Sequence, residues 1–203
     1  MEEVKYDNGF KWDPEDNSKF DTGERVSNYN NNTRKIFKVP ENSRIIYVDG
    51  GAKVVFKGTG KQMSIGSWSF YDVVTDQLTG EYCENATNNQ MELMAAIKAL
   101  EYLNTCGYPK ESWVSIKLDS EYVRLGIIFW VKKWYANNWK RVSRDGKVEE
   151  IKNLDLWKRL YNLSSERRIH WEHVKGHSGN EGNEKVDINC TLLIDEYVNI
   201  NSK

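Results

Sequence analysis

Two short apolar runs, IIYVDGG at 45–51 and WVSIKLD at 113–119, each close on an aspartate or just after one, with an amphipathic helical pattern between them. Unbroken apolar runs of this length read as strands buried on both faces, and strands interleaved with helices require a sheet that is at least partly parallel. SIGSWSFYDVV at 64–74 sets small or polar residues against Ile65, Trp68 and Phe70, and GEYCENA at 80–86 follows a turn, so a three-strand meander is expected to open the domain. A helix is expected from the Thr87-Asn88-Asn89 cap signal to about Asn104, with Leu93, Ala96, Ile97, Leu100 and Leu103 on one face and Gly107 and Pro109 beyond its end. Helical periodicity returns from Ser120 to Trp134 and on towards Trp139, breaks at Asp145-Gly146, and resumes from Asn153 to about Ser164. RIHWEHV at 168–174 is a further strand and 181–198 a final helix. The order β-β-β-α-β-α-α-β-α specifies an α/β domain built on a mixed five-stranded sheet.

That domain occupies about 44–198, with 199–203 as a short tail. Residues 1–43 hold seven basic and nine acidic side chains, the polar run NYNNNTRK and no apolar period. They are expected to be a poorly ordered or loosely docked extension, the docking coming from Phe10, Trp12, Phe20 and Phe37. No apolar stretch approaches the roughly 18 residues of a membrane span, so no membrane partner is expected. The start MEEVKYDNGF has no basic segment leading into an apolar one, so an intracellular, by default cytoplasmic, location is expected. Cys83, Cys106 and Cys190 form no C-x-x-C pair and have no histidine at zinc spacing, so they are expected to be reduced and mostly buried.

Asp49, Glu92 and Asp119 are expected at strand ends and a helix N-terminus, where one edge of an α/β sheet forms a crevice. Each alone reads as a turn, cap or dipole residue. Asp187, in the last helix after the glycine-rich His177-Ser178-Gly179 loop, changes that balance. Four carboxylates gathered at one edge repel one another, and a divalent cation makes the arrangement favourable; an all-oxygen donor set suits Mg²⁺ or Mn²⁺ rather than zinc.

The chain resembles the type 1 ribonucleases H. The resemblance is carried by IIYVDGG, ATNNQMELMAAIKALEYL (86–103), LDSEYVRLGI (118–127), FWVKKWYANNWKR (129–141), KNLDLWKRL (152–160) and IHWEHVKGHSGNEGNEKVD (169–187), in the family's order. It implies an RNase H-like fold with a basic protrusion, and a monomeric endonuclease that cuts the RNA strand of RNA/DNA hybrids to 5′-phosphate and 3′-hydroxyl ends, as in primer removal. It further implies that Asp49, Glu92, Asp119 and Asp187 hold two Mg²⁺ ions, one activating the attacking water and the other stabilising the leaving 3′ oxygen. His177 would shuttle a proton or help product leave. His170 and His173 read as structural or surface residues, and Glu184 as a neighbour of the site without a ligand's role.

Thr87, Asn88 and Asn89 place hydroxyl and amide groups beside Glu92, and the resemblance makes them contacts to the hybrid, where the 2′-hydroxyl distinguishes RNA. Helix capping by Thr87 or Asn88 is expected as well. The whole chain has a net charge of −1, which excludes a uniformly basic binder, yet residues 124–159 hold ten Lys/Arg against four acids, a local +6 that leaves −7 elsewhere. Four of the eight tryptophans, Trp130, Trp134, Trp139 and Trp157, fall in this stretch. Cations interleaved with aromatics describe a phosphate-gripping arm. Lys132, Lys133, Trp134, Trp139, Lys140 and Arg141 are its expected contacts, with Trp130 and Trp157 as anchors to the core.

The family pattern is broken after Asp49-Gly50, where AKVVFKGTGKQ, with Lys53, Lys57 and Lys61, stands in a loop that usually carries Asn or Gly-Asn-Pro-Gly; charge is expected to replace those contacts. Two rival readings are a binding module without turnover and a DNA-only nuclease of the same broad fold. The intact acids oppose the first, and the basic Trp-rich arm with Asn-Asn-x-Met-Glu opposes the second.

Overall fold

The computed structural model describes residues 40–56, 62–143 and 145–201. The expectations for residues 1–39, Lys57 and Lys61 lie outside them. A five-stranded sheet in the order β3-β2-β1-β4-β7 forms the centre. β1 (Arg44–Phe56), β2 (Gln62–Asp72) and β3 (Gln77–Glu84) make the antiparallel meander, β4 (Trp113–Leu118) pairs in parallel with β1, and β7 (Arg168–His173) in parallel with β4. Parallel neighbours need crossovers, and the helices supply them.

Alternation along the strands sorts two layers. Ile46, Val48, Trp68 and Phe70 face α1 (Asn88–Thr105) and α4 (Leu154–Ser165), while Tyr47, Ile65 and Ser67 face α5 (Glu181–Asn201). α1 starts as its sequence requires, with Thr87 and Gln90 closing a capping box, and it buries Leu93, Ala96, Ile97, Leu100 and Leu103 completely. At the entry to β1, Arg44 and the fully buried Asp72 form an ion pair that also engages Tyr102 and Thr75.

Several boundaries differ from expectation. The segment after Gly51 is not a loop: β1 continues to Phe56, and Lys53 pairs in register with Ile65. The long helix after Ser120 is divided into α2 (Glu121–Leu125), a π-helical turn at Gly126–Trp130 and α3 (Val131–Ala136). The side chain at 126 has to be absent here, because a Cβ would lie 2.0 Å from the Trp157 ring. Asn138 (φ 52) and Trp139 (φ 58) adopt left-handed backbone and end α3 before Trp139. β5 (Arg141–Val142) and β6 (Val148–Glu149), too short to show a period, pair as a small ribbon. α5 runs on to Asn201, so the last helix includes most of the expected tail.

The cysteines are free as expected, but only Cys190 is buried. Cys83 lies on the edge strand β3 and Cys106 on the C-cap of α1, both exposed.

Candidate active site

Tyr47 and Lys117 are the last paired residues of the parallel β1–β4 ladder. Two residues further along stand Asp49, still within β1, and Asp119, just past the end of β4, so the ladder's register sets these carboxylates side by side. Asp49 is therefore not at the end of its strand, as expected, but at the point where parallel pairing stops and β1 continues with β2 alone. Gly50 brings α1 to the same place: a Cβ there would lie 2.2 Å from the Met91 carbonyl carbon and 2.4 Å from the Glu92 nitrogen. That contact delivers Glu92 from the start of the second turn of α1, close to where it is expected. Asp187 arrives from α5, nearly two turns beyond Glu181. α5 is held against β1 by Gly182, which packs on the Tyr47 ring, and by Cys190, whose thiol donates to the Asp49 carbonyl at 3.5 Å.

The four acids share one electrostatic environment. Burial first, then the Asp119, Asp187 and Glu92 charges, push the Asp49 carboxyl up to about 7, against the backbone N–H of Gly50, which donates to Oδ1 at 2.8 Å. Glu92 is raised mainly by burial and opposed by the Ser120 hydroxyl, which donates to its Oε2. The Cys190 thiol, buried beneath Asp49, is pushed up to about 12 and stays protonated. Among the described residues no three Asp, Glu, His or Cys side chains stand close enough together to hold a metal ion as they are placed. The carboxylates are near enough to repel and still stand open. Such a cluster is unfavourable alone and fits hard divalent cations by charge and by its oxygen donors.

His177 sits on the loop between β7 and α5 in left-handed backbone (φ 50), exposed, with Nδ1 3.4 Å from the Asp187 Oδ2. Glu184 shapes that loop by accepting from the Gly179 N–H at 3.0 Å. Gly176, two residues after His173-Val174, passes so near Asp119 that a Cβ would lie 2.9 Å from its Oδ2. His170 and His173 belong to β7; burial lowers the pKa of His170, and His173 Nε2 lies 3.6 Å from Glu121.

Thr87 is committed to capping. Asn88 accepts from the Ala52 N–H at 2.6 Å through Oδ1, so its amide NH₂ remains as its donor group. Asn89 joins Lys133, Trp134, Lys140 and Arg141 in the wall of a groove of about 720 Å³ that leads away along the arm. Tyr122, Asn137, Lys152 and Asn153 line it too, and sequence reasoning missed them. Only the LDSEYV motif gave any signal for Tyr122, whose hydroxyl accepts from Trp157 Nε1 at 3.1 Å and Asn153 Nδ2 at 3.3 Å.

The structure does not bring every expected arm residue into the groove. Lys132 is half-buried, with its pKa lowered by that burial, and is not in the wall. Trp139 packs instead on Tyr135 and Tyr161, at ring distances of 6.2 and 5.8 Å, because the left-handed turn reverses the chain. Trp157 is fully buried, as an anchor is expected to be; Trp130 and Trp134 pack edge-on against it, and Tyr122 packs edge-on against Trp130 and Trp157.

The family model described as RNase H matches residues 41–191. A ribonuclease H of Francisella philomiragia is 39% identical over 150 residues, covering 72% of this chain and 88% of that protein. One from Ruthia magnifica is 37% identical, covering 76% and 97%. Among solved structures, LC9-RNase H1, a type 1 RNase H with the type 2 active-site motif, superposes with a TM-score of 0.54 at 20% identity, covering 76% of this chain and 74% of that one. A foamy viral protease-reverse transcriptase in complex with double-stranded DNA gives 0.59 at 19%, covering 78% and 97%. At these identities the two structures speak for the fold.

Proposed function

The chain belongs to the ribonuclease H family and is a hydrolase that cuts the RNA strand of RNA–DNA hybrids internally, and from that premise we propose that Asp49, Glu92, Asp119 and Asp187 hold two Mg²⁺ ions, with Mn²⁺ able to substitute. The observation that carries the assignment is the convergence of the four acids on one sheet edge, through the β1–β4 register, the Gly50 contact with α1 and the Gly182 contact that holds α5 on β1, and the raised Asp49 carboxyl accords with it. When bound, the ions supply the activation of water and the stabilisation of the leaving 3′ oxygen.

The chain's own residues do the rest. Asp49 on β1 and Asp119 just past the end of the neighbouring parallel strand β4 form the fixed side of the site, and Glu92 and Asp187 close it from helices on opposite layers. His177, exposed and in reach of Asp187, exchanges a proton with solvent and with the leaving product. Asn88, with its oxygen occupied by Ala52, offers N–H donors to acceptors in the minor groove of the hybrid, and Asn89 connects the site to the arm. Lys133, Lys140 and Arg141 hold the phosphates of the DNA strand while Trp134 packs against its sugars; Lys132 supports them by charge, and Thr87 acts through its cap. No helix among the described residues is long and apolar enough to cross a membrane. We place the activity in the cell interior, in a monomer, where primers and other hybrids arise.

The test is cleavage of three end-labelled substrates with Mg²⁺: an RNA–DNA hybrid, double-stranded RNA and double-stranded DNA. Cutting confined to the RNA strand of the hybrid, giving 5′-phosphate ends, is the expected result. Asp119→Asn is expected to lose activity by orders of magnitude while remaining folded, since it removes a ligand charge at nearly constant volume. Full activity in that variant overturns the assignment of Asp119.

A further inference from the structure

Ser120 follows Asp119 directly, is 9% exposed, and touches two different elements through one oxygen. Its Oγ accepts from the Val123 N–H at 3.3 Å, which caps α2, and donates its proton to Glu92 Oε2 on α1. A hydroxyl has a single proton, and the cap uses only its acceptor side, so the proton is directed at Glu92. The dipeptide Asp119-Ser120 thus supplies one proposed ligand and grips another. Glu92 has no other hydrogen-bond donor among the described contacts of the site, whereas Asp49 is held by the Gly50 N–H.

We infer that Ser120 is a positioning residue for metal binding: its hydroxyl fixes the rotamer of the Glu92 carboxylate, leaving one oxygen aimed at the ion. Groups that hydrogen-bond a ligating carboxylate from behind orient it and are felt in affinity as well as rate. The serine is matched to this task, because it is short enough to sit inside the first turn of α2 and still span to α1. The inference rests on Glu92 being a ligand.

The test is calorimetric titration of the full-length, metal-free protein with Mg²⁺. Ser120→Gly retains a tolerated N-cap residue but loses the donor, and its Mg²⁺ affinity is expected to fall by about 10–100-fold. Ser120→Thr keeps the hydroxyl and is expected to restore wild-type affinity. Ser120→Cys preserves the volume with only a weak donor, and its affinity is expected to fall as well, which covers the case of a Gly variant that does not fold. In steady-state cleavage the loss is expected in kcat and in the Mg²⁺ requirement, with KM for the hybrid held. Unchanged Mg²⁺ affinity in the folded Gly or Cys variant, or a Thr variant as weak as Gly, overturns the inference. Glu92→Gln in the same titration separates the two levels: if it binds Mg²⁺ normally the ligand assignment fails, and if it loses binding while Ser120→Gly does not, only the role of Ser120 fails.

Discussion

Gly50 and Met91 are in backbone contact, so close that a Cβ on Gly50 would lie 2.2 Å from the Met91 carbonyl carbon. The obstacle is main chain, which cannot rotate away, so Gly50→Ala has to push α1 off β1 and carry Glu92 away from Asp49. A loss of about 1–3 kcal/mol or more is expected in denaturant unfolding, as for overpacked cores, with activity lost in the fraction that folds. Gly51→Ala is the control. Nothing lies within 4 Å of a Cβ there, and its unfolding midpoint is expected to stay near wild type.

The raised Asp49 carboxyl makes the metal-free protein pH-sensitive. Its value moves from 3.8 to about 7 in the fold, so between these pH values the native state binds more protons than the unfolded state. Stability from this group is therefore complete below about pH 4 and lost as pH rises through 7. The loss is on the order of 2–4 kcal/mol, shared with the neighbouring acids. With EDTA present, Asp49→Asn is expected to match wild type near pH 4 and to exceed it in thermal stability at pH 8. Added Mg²⁺ is expected to narrow that gap by stabilising wild type alone. A gap that is the same at both pH values contradicts the assignment of the shift.

Much of this was legible in the sequence, and the failures have physical causes. The strands, α1 and its cap could be read because apolar period and cap chemistry are local signals, and the order of elements followed from them. The break at Gly126 was not legible, because it depends on a Trp157 ring 31 residues away in sequence filling the space of a side chain. Nor was the fate of Trp139: its residue type fits a nucleic-acid contact, and only the left-handed turn at Asn138 and Trp139 turns it onto Tyr161. The four acids could be singled out by their places in the expected elements together with the family resemblance. Their relative placement could not, since it comes from the β1–β4 register and the Gly50 contact. Ser120 was invisible for the same reason, as its partner is on another helix.

Gly176 is predicted to matter for activity more than for stability. A Cβ would lie 2.9 Å from Asp119 Oδ2, the free end of a side chain, which can swing aside at little cost to the fold. In Gly176→Ala the swing displaces a proposed ligand. Misplacement of a reacting group by about 1 Å can cost ~10²-fold, so kcat is expected to fall by about that factor while the unfolding midpoint moves little. Equal losses in both measurements would mean that the loop, and not the carboxylate, has moved.

The groove along the arm predicts how binding responds to salt. Lys133 and Lys140 line it with Asn89 and Trp134, and under the proposed function each neutralises a phosphate of the hybrid. Such contacts release counterions, and the slope of log K against log salt changes by about 0.9 for each one lost from a B-form duplex. Lys133→Ala with Lys140→Ala is expected to flatten the slope by nearly twice that and to raise KM more than it lowers kcat. Trp139→Ala supplies the contrast. Its ring packs on Tyr135 and Tyr161 with Lys158 Nζ 5.8 Å from its centroid, away from the groove, so this variant is expected to lose stability and to keep the salt slope. Binding titrations of hybrid against the two variants between about 50 and 200 mM salt decide the matter. A flattened slope in Trp139→Ala, or an unaltered one in the lysine pair, would move the nucleic-acid path to the outer face of the arm.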